Sequence, residues 1–226
     1  MKEYRDKEMR NLMLILVSLL LLFSSSVFNT IALDSEQNKL TALSTILETA
    51  VVSAALSCTT ILIDCLLGSK LKDRLVGLLF IPRAGETVFS RVKNNTLRDD
   101  RFLLSDAKQH YSEIIKDLPK EKRARHKYEN SKWYGIYRTY STEDAVIQTQ
   151  HDYLMCRDLF SETLAFFVLY FLSTVCFPTI IFYSREFVIV LFIVLGLLEI
   201  CAQSKMQRFV NTVIAIDIAD KNKKKE

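Results

Sequence analysis

The chain has 226 residues, half of them hydrophobic, with a formal net charge of +4 and five cysteines. Its mean hydropathy is positive, and the apolar excess is gathered into blocks instead of being spread, which sets the chain apart from an ordinary water-soluble domain.

The first block runs from Asn11 to Leu33, behind Lys2, Arg5, Lys7 and Arg10. It reads either as a retained membrane span or as a secretory signal cut near Ser24 and Ser26. The apolar run continues past those serines through Val27, Phe28, Ile31 and Leu33, which suits a span. The second block, Leu40 to Leu67, follows after a short turn, and the third and fourth are Leu159 to Tyr183 and Phe187 to Ala202. The first three reach the roughly 20 residues that cross a bilayer core, and the fourth is shorter. In the turns Asp34–Lys39 and Ser184–Glu186 the only basic residues are Lys39 and Arg185, leaving 28 of the 30 Lys and Arg on the opposite side. The positive-inside rule then places both chain ends and the long middle stretch in the cytoplasm. The expected fold is a membrane all-α protein: four transmembrane helices with a mostly helical cytoplasmic insert between spans two and three. Its parts would be an N-terminal hairpin at 1–67, the insert at 68–158, a C-terminal hairpin at 159–202 and a cytoplasmic tail at 203–226.

The second span is rich in hydroxylated and small residues, among them Thr45, Thr49, Ser53, Ala54, Ala55, Thr59 and Thr60. Such residues permit close helix approach and hydrogen bonds between helices, so this span is expected to be buried or to face another subunit. Spans one and four, dominated by Leu, Ile, Val and Phe, are expected to face lipid. Glu48 lies eight residues in from the outer end of the second span, near mid-bilayer, where a carboxylate costs several kcal/mol unless it meets protein, water or a partner. Glu48 with Thr45, Thr49 and Ser53 therefore forms a candidate intramembrane polar site. It reads either as a neutral helix contact or as the lining of a pore or proton relay.

The insert holds about ninety residues, 18 of them basic and 13 acidic. Pro82 and Gly85 mark a turn at Phe80–Gly85, and Thr87–Val92 is expected to be a short extended segment. Ser105 is the expected N-cap of a helix that Pro119 ends. A second helix, Lys120 to Tyr140, starts strongly basic and turns aromatic. Lys120, Lys122, Arg123, Arg125 and Lys127, with Trp133 and Tyr134, form a candidate surface for anionic lipid or for a partner protein. The same interleaving of cations and aromatics also fits nucleotide or nucleic acid.

Ser141–Asp144 can cap a third helix, and no Pro or Gly follows until Pro178. One continuous helix is therefore expected, a cytoplasmic stalk that becomes the third span. At its threshold stand Arg157, Asp158 and Glu162, and Asp64 and Glu199 lie at the inner ends of spans two and four. These five form a candidate inner-edge layer, read either as interfacial anchoring or as a coupling hinge. Arg157 is expected in the headgroup zone, paired with Glu162, Glu199 or a lipid phosphate.

The cysteines show no metal-ligand spacing and read as packing residues, with Cys156 as a candidate for acylation at the membrane edge. The chain carries no Gly-rich phosphate loop, no H-E-x-x-H and no nucleophile elbow, so neither catalytic residues, nor a metal, nor a cofactor is expected. Residues 205–220 alternate apolar and polar positions and are expected to form a helix on the inner membrane face or against the insert.

Asn130-Ser-Lys-Trp-Tyr-Gly-Ile-Tyr137, Tyr153-Leu-Met-Cys-Arg-Asp158 before a span and Arg208-Phe-Val-Asn-Thr-Val-Ile214 after the last one resemble a group of small four-span bacterial inner-membrane proteins. Their architecture is similar to that of membrane components of anti-phage defence, including four-span effectors of nucleotide-signalling systems and the membrane subunit of Kiwa-type systems. The resemblance implies a homo-oligomer that senses or perturbs the inner membrane. Two readings stand side by side: an effector that changes membrane permeability, and a non-conducting scaffold that recruits a cytoplasmic partner protein.

Overall fold

The structure is a computed structural model and describes residues 2–23, 36–77, 81–176 and 183–224. Every α-helix and 3-10 turn found there belongs to one class, and no strand occurs among the described residues. The order is α1 (Lys2–Phe23), α2 (Glu36–Leu66), α3 (Ser69–Leu75), a 3-10 turn (Ala84–Glu86), α4 (Val88–Lys93), α5 (Leu104–His110), α6 (Ser112–Lys116), α7 (Lys122–Thr139), α8 (Asp144–Cys176) and α9 (Arg185–Lys223). Among the described residues, α8 and α9 are long and apolar enough to cross a membrane, while the apolar parts of α1 and α2 are shorter, Met9–Leu20 and Ser53–Ile63. Residues 24–33 of the first expected span lie outside the described residues.

The chain divides into two compact units. Unit 1 comprises residues 1–72 and 157–199, and unit 2 comprises residues 73–156 and 200–226.

In unit 1 the four long helices meet through one apolar cluster. Met13, Leu16 and Leu20 of α1 recur at helical spacing and pack with Leu56 of α2, Phe166 and Tyr170 of α8, and Phe187 and Leu191 of α9. The rings of Tyr170 and Phe187 cross edge-on at 4.9 Å, and the Tyr170 hydroxyl accepts the Ser184 N–H at 3.0 Å. The opposite faces carry large exposed apolar side chains: Leu14 and Ile15 on α1, Val51 and Leu62 on α2, Phe171 and Leu172 on α8, Phe192 and Leu197 on α9. In α2, Ser57, Thr59 and Thr60 donate to carbonyls four residues back at 2.8 to 2.9 Å. These hydroxyls are satisfied inside their own helix, not by the interhelical bonds expected from composition. Ala54, Ala55, Cys58 and Thr59 on that helix are exposed.

Unit 2 is organised around the stretch expected to be a cytoplasmic tail, whose core residues run from Met206 to Ile218. The fourth apolar block and the tail are one helix, because nothing between Ala202 and Lys205 breaks helical geometry, and α9 continues to Lys223. Its Met206, Phe209, Val210, Val213, Ile214 and Ile218 enter the core of unit 2 with Val88, Phe89 and Val92 of α4, Tyr111, Trp133 of α7, and Val146 and Tyr153 of α8. Of the two placements considered for residues 205–220, packing on the insert is the one adopted. Phe209 is the hub, edge-on to Trp133 at 5.5 Å and stacked with Tyr153 at 6.4 Å.

Two local expectations are corrected. Thr87–Val92 is not extended: Val88, Phe89 and Val92 are all fully buried, and only a helical turn points three residues of that spacing one way. The helix expected from Ser105 to Leu118 is split at Tyr111 and starts after Leu103 instead of at Ser105. A fully buried Tyr111 ring, edge-on to Phe89 at 5.2 Å, outweighs helical continuity there. By contrast α8 runs unbroken from Asp144 to Cys176, as the absence of Pro and Gly requires.

Gly77 follows α3 with φ of 93°, the left-handed conformation that ends helices at glycine. Gly85 has a different reason from the turn freedom inferred for it. A Cβ there would meet the Trp133 ring at 3.0 Å and Asn130 Oδ1 at 3.2 Å. Gly85→Ala is therefore expected to cost about 1–3 kcal/mol by overpacking, read as a lowered thermal midpoint in the fluorescence of the chain's single tryptophan.

Candidate functional site

In unit 1 the polar residues gather on one stretch of α8. Arg157, Asp158, Ser161 and Glu162 sit one, three and four residues apart, so they share a helix face, and all are buried: Arg157 is 6%, Asp158 2% and Glu162 0% exposed. Arg157 donates from Nε at 2.9 Å and from Nη2 at 2.8 Å to Asp158 Oδ1. Lys72 of α3, itself buried, brings its Nζ to 3.8 Å from the same oxygen. One carboxylate thus faces two cations in a site closed to water.

Arg157 donates to its neighbour Asp158, and Lys72, which the sequence analysis does not single out, is a further cation beside that carboxylate. Burial explains the choice: an ion taken from water keeps its charge only where a counter-ion and hydrogen bonds replace the solvent. Glu162 lies one turn further along α8 and is wholly enclosed, and Glu199 is half-buried on α9. The Oγ atoms of Ser53 and Ser161 are buried without a hydrogen-bond partner among the described residues. The side chains of Thr45, Glu48, Thr49 and Asp64 lie outside the described residues, although their helix, Glu36–Leu66, is described.

In unit 2 a second polar centre lies at the end of α9. Asp217 is buried and accepts from the Tyr111 hydroxyl at 2.5 Å, from the Tyr140 hydroxyl at 3.2 Å and from Lys221 Nζ at 2.7 Å. The single Tyr140 proton is shared with Asp220, whose carboxylate lies at 3.0 Å, and Lys221 sits 4.7 Å above the Tyr111 ring. Both phenols are pushed well above the usual tyrosine range, by burial first and then by the neighbouring carboxylates. They are hydrogen-bond donors, not acids, and the cluster is a three-way lock.

Cys156 Sγ and Cys201 Sγ stand 3.2 Å apart as free thiols. Cys156 is buried, so it is not available for the acylation considered above. Burial, followed by the hydrogen bond to Cys201, pushes its thiol up to about 12. From an ordinary value of 9.0 that removes about three decades of thiolate at neutral pH, and thiolate is the reactive form. Cys156 in the folded protein is expected to react with iodoacetamide about a thousandfold more slowly than after denaturation, measured by peptide mass spectrometry.

The basic and aromatic stretch resolves into two faces. Lys120, Lys122, Arg123 and Lys127 are exposed, Arg125 is half-buried and Tyr134 is exposed. Trp133 is not on this surface but in the core, stacked on Tyr137 at 5.6 Å. Glu129, between Arg125 and Trp133 at intervals of four, is fully buried and accepts from both the Ser90 N–H at 2.9 Å and the Ser90 hydroxyl. That spacing was the available signal for Glu129: an acid aligned with an aromatic core residue one turn away lies on the inner face.

Among the described residues no group of three or more His, Cys, Asp or Glu side chains could hold a metal ion. The chain matches no protein-family model, no curated protein and no solved structure in the three comparisons made.

Proposed function

We propose that this chain is a homo-oligomeric inner-membrane sensor or effector of anti-phage defence, which couples a cytoplasmic signal to a change in membrane permeability. The observation that carries the reading is the buried Lys72, Arg157, Asp158 and Glu162 layer, carried largely on a helix that is polar in unit 2 and apolar beyond Glu162. Ionised groups inside an apolar helical unit mark pathways and coupling elements by default. The exposed apolar faces of α1, α2, α8 and α9 support four spans in lipid. The exposed Ala54, Ala55, Cys58 and Thr59 of α2 support contact with a second copy.

Potassium flux from liposomes containing the purified chain is the test. Flux is expected to fall at least about tenfold in Glu162→Ala and in Glu48→Ala, as loss of one favourable polar contact implies. Liposomes that stay tight, both alone and with cytoplasmic extract from phage-infected cells, would overturn the permeability reading.

The scaffold reading is favoured by one observation of its own, the exposed row Lys120, Lys122, Arg123 and Lys127 beside Tyr134. There, reversing the charges of Lys122, Arg123 and Arg125 abolishes recruitment of a partner in a pull-down while Glu48→Ala leaves function intact.

A further inference from the structure

Unit 2 contains a cleft of about 370 Å³ between the end of α4 and the start of α7, lined by Ser90, Lys93, Asn94, Leu118, Pro119, Lys120 and Arg125. Three of the seven are cations and none is acidic. Lys93, Lys120 and Arg125 form no ion pair or side-chain hydrogen bond among the described residues. Like charges gathered around one concavity repel each other, and a bound anion relieves that repulsion. The arrangement costs stability unless an anion occupies it.

The cleft is also built, not incidental. Its two walls are joined by buried Glu129 of α7, which accepts both the N–H and the hydroxyl of Ser90 on α4. Both Ser90 donors are thereby turned toward Glu129, so the groups free to meet a ligand are the three cations and the Asn94 amide. At the mouth, α7 begins with Lys122 and Arg123 and has no acid in its first turn, and Glu121 at the cap makes no side-chain capping bond. The macrodipole favours negative charge at that end, and here the sequence supplies mostly positive charge. Pro119 fixes the entry of the chain to α7, which holds Lys120 against the opening.

We propose that this cleft binds a phosphate-bearing anion. Arg125 offers the planar fork that pairs two phosphate oxygens, Lys93 and Lys120 act as point charges on either side, and Asn94 donates to a remaining oxygen. Carboxylate ligands fit less well, because three cations exceed the charge of one carboxylate and match a phosphate monoester or diphosphate. The volume falls within the range of small-molecule sites. The source is either a soluble phosphorylated compound or a lipid headgroup, which share this chemistry.

The assignment goes beyond the permeability reading and does not rest on it, because binding is read without flux. Isothermal titration of the full chain in neutral detergent is run with inorganic pyrophosphate and, separately, with short-chain phosphatidic acid. Saturable binding of at least one titrant is expected, weakened about tenfold by each of Lys93→Gln, Lys120→Gln and Arg125→Gln, as for loss of one charged hydrogen bond. Lys132→Gln and Arg138→Gln, which remove equal charge from exposed positions of the same helix away from the cleft, are expected to change affinity less than twofold. Tighter pyrophosphate binding assigns a soluble ligand, and tighter phosphatidic acid binding assigns a headgroup. The proposal is overturned if neither titrant saturates, if the three cleft variants bind as the parent does, or if the two control variants weaken binding as much. The three changes are at surface or half-buried positions, so unchanged circular dichroism accompanies a true loss of binding.

Discussion

Asp158→Ala is expected to lower the stability of unit 1 by about 3–5 kcal/mol, the cost of leaving a buried charge without its partner. The argument is geometric. Asp158 Oδ1 takes two donors from Arg157 and stands 3.8 Å from Lys72, and all three side chains are buried. Removing the carboxylate takes away the acceptor of two Arg157 donors and the anion beside Lys72, both in buried positions. Asp158→Asn keeps the shape and one acceptor but not the charge, and is expected to recover less than half of the loss. Adding Lys72→Met to Asp158→Ala is expected to restore a measurable part of the stability, because residues in one network do not act additively. Since Trp133 is the only tryptophan and belongs to unit 2, its fluorescence follows that unit, while circular dichroism follows the long helices as well. The expected result is a lowered circular dichroism midpoint, and a midpoint equal to that of the parent would sink the claim that the layer is a closed ion network.

Asp217→Ala is expected to cost about 3 kcal/mol in unit 2, because three hydrogen bonds lose their acceptor and two of the donors are phenols at buried or half-buried positions. Here the fluorescence of Trp133 is the appropriate probe. Asp217→Asn separates the charge from the hydrogen bonds. It keeps an acceptor for Tyr111 and removes the negative charge that comes next after burial in raising Tyr111 and that adds to burial and Asp220 in raising Tyr140. Tyrosinate absorbance should therefore develop at lower pH in Asp217→Asn than in the parent. The sign for stability follows from the raised folded-state values. The contribution of these tyrosines is complete below the unfolded phenol value of about 10 and is lost as pH rises beyond it. Asp217→Asn should shift the onset of alkaline unfolding, and an identical alkaline titration in both proteins would show that the carboxylate does not govern the phenols.

The residues that announced themselves in the sequence did so through periodicity or interruption. The unbroken run from Asp144 to Cys176 follows from the lack of any helix breaker, and the helical character of the apolar blocks from their length. Arg157, Asp158 and Glu162 could be singled out because ionised groups beside an apolar run are costly. The part of Lys72 could not, since α3 lies some eighty residues earlier in the chain and only tertiary packing brings it to Asp158. The same holds for Asp217, whose partners Tyr111 and Tyr140 come from the insert. Trp133 lies in the core because its four-residue alignment with Glu129 puts both on the inner face of α7, a signal that the basic neighbourhood hides. Thr87–Val92 was misread because β-branched residues favour strands only where a strand partner exists.

The sharing of α9 between the units sets the order in which the protein can be made. Residues 73–156 leave the ribosome without Met206, Phe209, Val210, Val213, Ile214 and Ile218, the side chains that complete their core. At the usual pace of synthesis the interval from residue 156 to residue 218 lasts roughly 3–12 s. During that time Phe89, Tyr111 and Trp133 lack the helix that closes over them, so apolar surface of the nascent insert stays open to solvent until the final segment arrives.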